Sequence, residues 1–143
     1  MISRIAYWLL DRFAVRTHFP PDLVPDPVFA HWHLFKLKDG RRVGLHHFWP
    51  CSDPWWHDHA RGMITIGLRG RYWEDSLKGN RFWKAPWVRF IPADFRHKFT
   101  VLPGESCWSL MISEKETKQW YFYTPDGRVV PWQDRRPGDG YTA

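Results

Sequence analysis

What most constrains this chain is its punctuation. Between Phe29 and Ile112, turn residues recur about every eight to twelve positions and leave runs of about five residues between them. Helices of ordinary length do not fit such intervals, whereas short strands do. The composition agrees: 12 Pro and 10 Gly supply the turns, and 18% of the residues are aromatic, 11 of them Trp, a type that favours pleated sheet. The pattern predicts an all-β sandwich or barrel. It also predicts that some indoles line a pocket or an interface, because a core of this size cannot enclose so many.

The 143 residues are read as one domain, 1–143, with a β core over about 29–112. Ahead of it, Ile5, Ala6, Leu9, Leu10 and Phe13 recur at helical spacing after Ser3, a suitable N-cap, so a short helix is expected from Ser3 to about Phe13. The following Phe19-Pro20-Pro21-Asp22-Leu23-Val24-Pro25-Asp26-Pro27 lacks the donors for regular structure and is expected to be an extended lead-in, completing an N-terminal portion of 1–28. His31 to Leu37 and Arg42 to Trp49 read as a hairpin around Asp39-Gly40. Further strands are expected at Trp55–His59, Met63–Leu68 with a continuation over Tyr72–Asp75, Arg81–Lys84, Trp87–Ile91, Phe95–Val101 and Ser106–Ile112. The remainder, 113–143, reads as a hairpin, Trp120–Tyr123 with Val129–Trp132 around Asp126-Gly127, and a polar tail.

Charge and cysteine content exclude several classes. The net charge is +6, from 21 Lys+Arg against 15 Asp+Glu, but the basic residues are dispersed among acidic ones. That argues against a nucleic-acid arm, and nucleic acid is retained only as a third reading resting on net charge and Trp stacking. Cys51 and Cys107 are too few for a disulfide scaffold and read as small core residues in a reducing, cytoplasmic protein. The run Ile5 to Leu10 is too short for a membrane span or a signal core.

Chemistry concentrates in histidine. In Trp55-Trp56-His57-Asp58-His59, residues two apart on a strand face the same way, so His57 and His59 present two imidazoles from one surface. In Phe95 to Val101 the alternation places Phe95, His97, Phe99 and Val101 on one face, the inward one, so His97 is the candidate third ligand. Asp58 points away from its flanking histidines and is expected to act behind the site or on the outer surface. His31 and His33 form a second His-x-His pair without a third partner and read as structural or solvent-facing. His46 and His47 are adjacent, so only one faces inward, where it has hydrogen-bonding use for a ligand.

The motifs over Phe29 to Ile112 resemble the cupin superfamily, small double-stranded β-helix barrels. They correspond as His57, His59 and Gly70 in the first motif and Pro92, Asp94 and His97 in the second. More narrowly, Leu45-His46-His47-Phe48, Gly70-Arg71-Tyr72 and Trp108-Ser109-Leu110 look like small cupin-like proteins of phage and bacterial genomes, a group without a settled activity. The resemblance implies a cupin-type jelly-roll barrel with a short N-terminal helix and a C-terminal hairpin extension. It also implies a divalent transition metal (Fe, Zn, Ni or Cu) on His57, His59 and His97. One departure stands out. Where the cupin carboxylate belongs, about four residues after His59, this chain has Met63 and Ile64. Glu74 is the candidate replacement, and with His46 and His47 it makes up the expected catalytic set.

The first functional reading is therefore a metal-dependent enzyme, of oxygenase or isomerase/lyase type, acting on a small polar molecule. Trp55, Trp73, Trp83 and Trp108 are candidate pocket walls, and Arg69, Arg71 and Arg89 are candidate anion partners or solvated surface. The alternative is a non-catalytic module binding a sugar or a protein partner. Exposed strand edges and surplus indoles suggest a homodimer.

Overall fold

The computed structural model describes residues 4–13, 15–18 and 29–134. The helical spacing near the N-terminus yields α1, Arg4–Phe13. Among the described residues twelve strands follow. The first six are β1 (Val15–His18), β2 (Phe29–Lys36), β3 (Arg42–Phe48), β4 (Cys51–Ser52), β5 (Trp56–His57) and β6 (Met63–Ser76). The others are β7 (Gly79–Lys84), β8 (Trp87–Ile91), β9 (His97–Val101), β10 (Cys107–Ser113), β11 (Tyr121–Tyr123) and β12 (Val129–Pro131). Ser3, the Pro-rich lead-in and the tail beyond Asp134 lie outside the described residues. Two short strands, β1 and β4, fall where no strand was expected.

All pairings are antiparallel, and they build two half-sheets that share β6. The first half of β6 lies between β10 and β8, in the order β1-β2-β3-β10-β6-β8. Its second half lies between β7 and β9, and the ladder continues through β5 and β11 to β12, with β4 also on β9. β6 changes partners at Gly70. There φ is +87°, and a Cβ would fall 1.8 Å from the carbonyl oxygen of Ser106, so the position admits only glycine. Just before it the register slips: Trp108 faces Arg69 while Ser109 faces Gly67, leaving Leu68 as the extra residue of a bulge. Bulge and left-handed glycine together bend the strand from one half-sheet into the other.

The expected jelly-roll barrel is not closed. Hydrogen-bonded pairing runs as an open path with β1 at one end and β12 at the other, and β7 and β8 pair only with β6. Within that path β5 meets β9 through the single pair His57↔His97. The strand expected over Trp55–His59 is cut to Trp56–His57 because the backbone then divides its hydrogen bonds. Asp58 N–H donates to Tyr121 O at 3.2 Å and His59 N–H to Ala93 O at 2.9 Å.

The apolar residues form two clusters. Between the half-sheets, Cys51, Trp87, Val101 and Cys107 pack with Phe29, Phe48, Tyr72, Trp83 and Phe99. On the outer face of the first half-sheet, Ala30, Trp32 and Trp108 pack with Leu45, Trp49 and Leu10 of α1. The Trp32 indole N–H donates to Asp11 Oδ1 at 2.9 Å, which fixes the helix over this second cluster.

Gly70→Ala should destabilise the protein by at least about 2 kcal/mol, since both the left-handed backbone and the Ser106 carbonyl oppose a methyl group. Gly79→Ala, at φ +99° with open space around it, should lose only about 1 kcal/mol. Urea unfolding of the two variants checks the order.

Candidate metal centre

β5 and β9 bring two of the expected ligands face to face, and the segment after β5 brings the third. Ligand nitrogens of His57, His59 and His97 all lie within 4.8 Å of one another. The His59 and His97 Nε2 atoms are 3.0 Å apart. Nitrogens on a tetrahedral ion with bonds of about 2.1 Å stand about 3.4 Å apart, so the cluster brackets the spacing that an ion needs. His57 and His97 are buried and His59 is half-buried. Burial first, then the neighbouring charges of His97, Arg89 and Lys118, pushes the His59 pKa well below the ordinary histidine value. The ring is therefore neutral at physiological pH, the form that ligates. The three histidines form a site able to hold a divalent metal ion.

Glu74 lies behind His97. It faces Phe99 across the β6–β9 ladder and is only 3% exposed. His97 Nδ1 is 2.5 Å from Glu74 Oε1. Burial pushes the Glu74 pKa up, but the His97 hydrogen bond and charge, with those of Arg89, outweigh it and hold the carboxyl below the usual range. An ionised carboxylate can only accept, so His97 donates from Nδ1 and is left with Nε2 as the atom that faces His59 and the site. Arg89 Nη1 donates to both Glu74 oxygens at 2.7 Å, and the Trp83 indole donates to Oε2 at 3.1 Å. Glu74 thus orients a ligand. Arg89, one of the candidate surface cations, is instead largely covered, its side chain 9% exposed and its guanidinium 4.4 Å above the Trp83 ring. A second carboxylate, Asp53, stands 3.5 Å from His57 Nδ1. Sequence reasoning passed over it as a loop residue, although it lies four positions before the histidine.

Beside the histidines a cavity of about 220 Å³ opens between the half-sheets, lined by His57, His59 and His97 and by residues of both walls. His46 faces it and His47 does not. His47 lies on the opposite face of β3, its ring stacked 4.1 Å from that of Trp108 in the second apolar cluster. Of the four indoles expected in the pocket wall, none lines this cavity. Trp87 and Trp120 do. Trp120 and Phe122 come from the C-terminal hairpin, which is fastened to the site by Asp58. That carboxylate, 1% exposed, accepts from Tyr121 N–H at 2.7 Å, from Tyr123 O–H at 2.9 Å and from Lys118 Nζ. Cys51 and Cys107 also line the cavity, and burial pushes both thiols up to about 12. They stay protonated at physiological pH.

No family model matches the sequence, and no curated protein matches it. Solved structures do match. The polyketide cyclase RemF from Streptomyces resistomycificus overlays with a TM-score of 0.54 at 21% identity, over 73% of this chain and 71% of that one. A structure of the DMSP lyases RdDddP and RnDddQII overlays with a TM-score of 0.52 at 22% identity over 60% of this chain, which spans about half of that chain's length, 47%. A cupin-like protein from Thermotoga maritima is 25% identical over 61% of this chain and 71% of that one, with a TM-score of 0.47. The fold is β-rich, and the likenesses to the cyclase and the lyase speak to fold alone.

Glu74→Gln should weaken metal binding by about 10- to 100-fold while the fold is retained, because the amide neither fixes the His97 tautomer nor raises its basicity. Competition against a chromophoric chelator measures this. A second outcome concerns pH. Burial, then the charges of His33 and Arg42, lowers His31 from 6.5 to about 4. The folded value lies below the unfolded one, so this contribution is complete above about 6.5 and is lost as pH falls toward 4. Thermal melts should show a drop in Tm across that window, and the drop should shrink in His31→Phe.

Proposed function

We propose that this chain is a metal-dependent enzyme acting on a small molecule held in the cavity beside His57, His59 and His97. The observation that carries the reading is the convergence of three imidazoles on the wall of a cavity between two half-sheets. An all-imidazole donor set suits Zn, Fe, Ni or Cu and leaves coordination positions for a substrate. When bound, the metal supplies Lewis-acid polarisation of a substrate oxygen or of water. The chain's own residues do the rest. Glu74 holds His97 in orientation, and the Asp53 carboxylate stands 3.5 Å from His57 Nδ1. Phe48, Phe99 and Phe122 exclude bulk water. His46 presents a neutral ring to the substrate, since burial, then the charges of His31, His59 and His33, puts its pKa well below the ordinary value. His47, turned into the second apolar cluster, serves packing. The choice between oxygenase and isomerase or lyase chemistry turns on which metal the site selects. A reducing, cytoplasmic setting suits the two protonated thiols.

An assembly role has one observation in its favour. On the outer face of the first half-sheet, Ile64, Leu68, Val88 and Phe90 are 41%, 54%, 71% and 56% exposed, and β8 carries a partner on one side only among the described residues. Such an edge favours association with a second copy, and a homodimer is the form it would take. No helix among the described residues is long and apolar enough to cross a membrane.

Untagged protein should carry close to one equivalent of metal, and His57→Ala, His59→Ala and His97→Ala should each lose most of it. Adding metal to stripped wild type should raise Tm by several degrees, because an ion bound only by the folded state stabilises it. Elemental analysis and melting curves read both. Equal trace amounts in all four proteins would remove the metal from the mechanism.

A further inference from the structure

The wall of the cavity opposite the histidines has a polarity of its own. Across the first half-sheet, His46 on β3 faces Ser109 on β10, Ser109 faces Gly67 on β6, and Gly67 faces Trp87 on β8. Directly opposed residues share a face, so these side chains form one row along the cavity wall. Gly67 belongs to the row by having no side chain. A Cβ there would fall 2.2 Å from the Trp87 ring, so the indole lies across the glycine toward Ser109. Thr65, two residues earlier on β6, faces the same way and lines the same cavity. Three buried polar atoms of this group, His46 Nε2, Thr65 Oγ1 and Trp87 Nε1, have no hydrogen-bond partner among the described residues. Buried polar atoms are nearly always paired, so three along one wall mark a place where a guest supplies the partners.

The rest of the lining limits that guest. Beside that row the lining is largely rings, with Phe48 set edge-on to Phe99 at 4.7 Å and Phe29 stacked on Phe48 at 4.7 Å. Among the lining residues Arg61 carries the only fixed charge, and it is committed to the carbonyls of Gly40 and Glu114 and to the Glu116 carboxylate. Nothing in the cavity therefore compensates a charge placed away from the histidines. At about 220 Å³ the space falls below the roughly 300–1,000 Å³ of pockets for drug-sized ligands, which suits a one-ring molecule. An indole N–H only donates, so the group that meets Trp87 must accept.

We propose that the cavity takes a small, uncharged aromatic molecule with two oxygen functions. One meets the metal at His57, His59 and His97, and the other accepts hydrogen bonds from the Trp87 indole and the Thr65 hydroxyl. This deepens the enzyme reading above and rests on it for the metal end alone. It also replaces the small polar substrate expected from the sequence with a largely apolar one.

The test uses three phenols matched in size and followed by titration calorimetry: 4-hydroxyacetophenone, 4-isopropylphenol, which lacks the acceptor, and tyramine, whose far end is cationic. They are titrated into zinc-loaded wild type, into chelator-stripped wild type and into His57→Ala, and then into Thr65→Val and Trp87→Phe with folding checked by circular dichroism. The ketone should bind about tenfold more tightly than the isopropyl compound, with tyramine weakest. The preference should fall to within about twofold in Thr65→Val, a shape-preserving change, and in Trp87→Phe. A ketone preference that persists in stripped protein and in His57→Ala but vanishes in Thr65→Val supports the proposal even if zinc is not retained, so failure of the metal reading shows separately. Equal binding of ketone and isopropyl compound, a preference for tyramine, no binding of any of the three to folded protein, or a preference untouched by both wall variants would overturn it.

Discussion

One buried carboxylate holds this structure together. Glu74 takes its partners from three other strands: Trp83 from β7, Arg89 from β8 and His97 from β9. An ionised carboxyl in the interior is costly unless its lone pairs are met, and removing one partner of such a group leaves a charge with nowhere to go. Only one arrangement meets them. β8 pairs with the first half of β6, while β7 and β9 pair with the second, so all three donors converge only if β6 turns between the half-sheets at Gly70. The bend and the buried ion are thus mutually dependent. The histidine that Glu74 orients is the one through which the fold reaches its chemistry.

The cavity follows from the same bend. Two half-sheets diverging from one shared strand meet through aromatic rings and leave space between them, which the C-terminal hairpin walls off with Trp120 and Phe122. Asp58 couples that wall to the histidines on either side of it in sequence. Because side chains alternate along an extended chain, a residue between two inward ligands must point outward. Here it grips Lys118, Tyr121 and Tyr123. One pentapeptide, Trp55 to His59, therefore supplies two ligands and the clasp for the fourth wall.

Much of this was legible in the sequence, for reasons that separate cleanly from what was not. Alternation reports which face a side chain takes, so His97, Phe99 and Val101 of the expected inward set line the cavity and Asp58 turns away from its flanking histidines. Phe95, expected with them, lies before β9 in a turn closed by its N–H on Pro92 O and does not line it. Gly70 was legible through the resemblance, whose first motif places a glycine at a tight turn. Alternation does not report which strand lies opposite. Asp53 and Glu74 reach His57 and His97 only through the β4–β9 and β6–β9 registers, which are long-range facts. Nor could Trp87 and Trp120 be separated from Trp55, Trp73, Trp83 and Trp108, since indoles on short strands look alike until their neighbours are known. Barrel closure failed for a related reason. Strand number and spacing predict how much sheet forms, whereas closure depends on where pairing stops.

Where pairing is thinnest is also where the site is. Along a continuing strand, His57 and His59 would stand about 6.6–6.8 Å apart, set by the rise of an extended chain. After β5, however, the backbone turns to Tyr121 and Ala93 in succession and leaves the β9 ladder with the single pair His57↔His97. Released from the strand, His59 brings its Nε2 to 3.0 Å from that of His97, and its ring centroid to 5.3 Å from that of His57. A longer β5 would extend the sheet and hold the rings at strand spacing. The local geometry that thins the β5–β9 ladder to one pair is therefore the same geometry that lets three imidazoles converge, so the ladder is thinnest where an ion would bind β5 to β9.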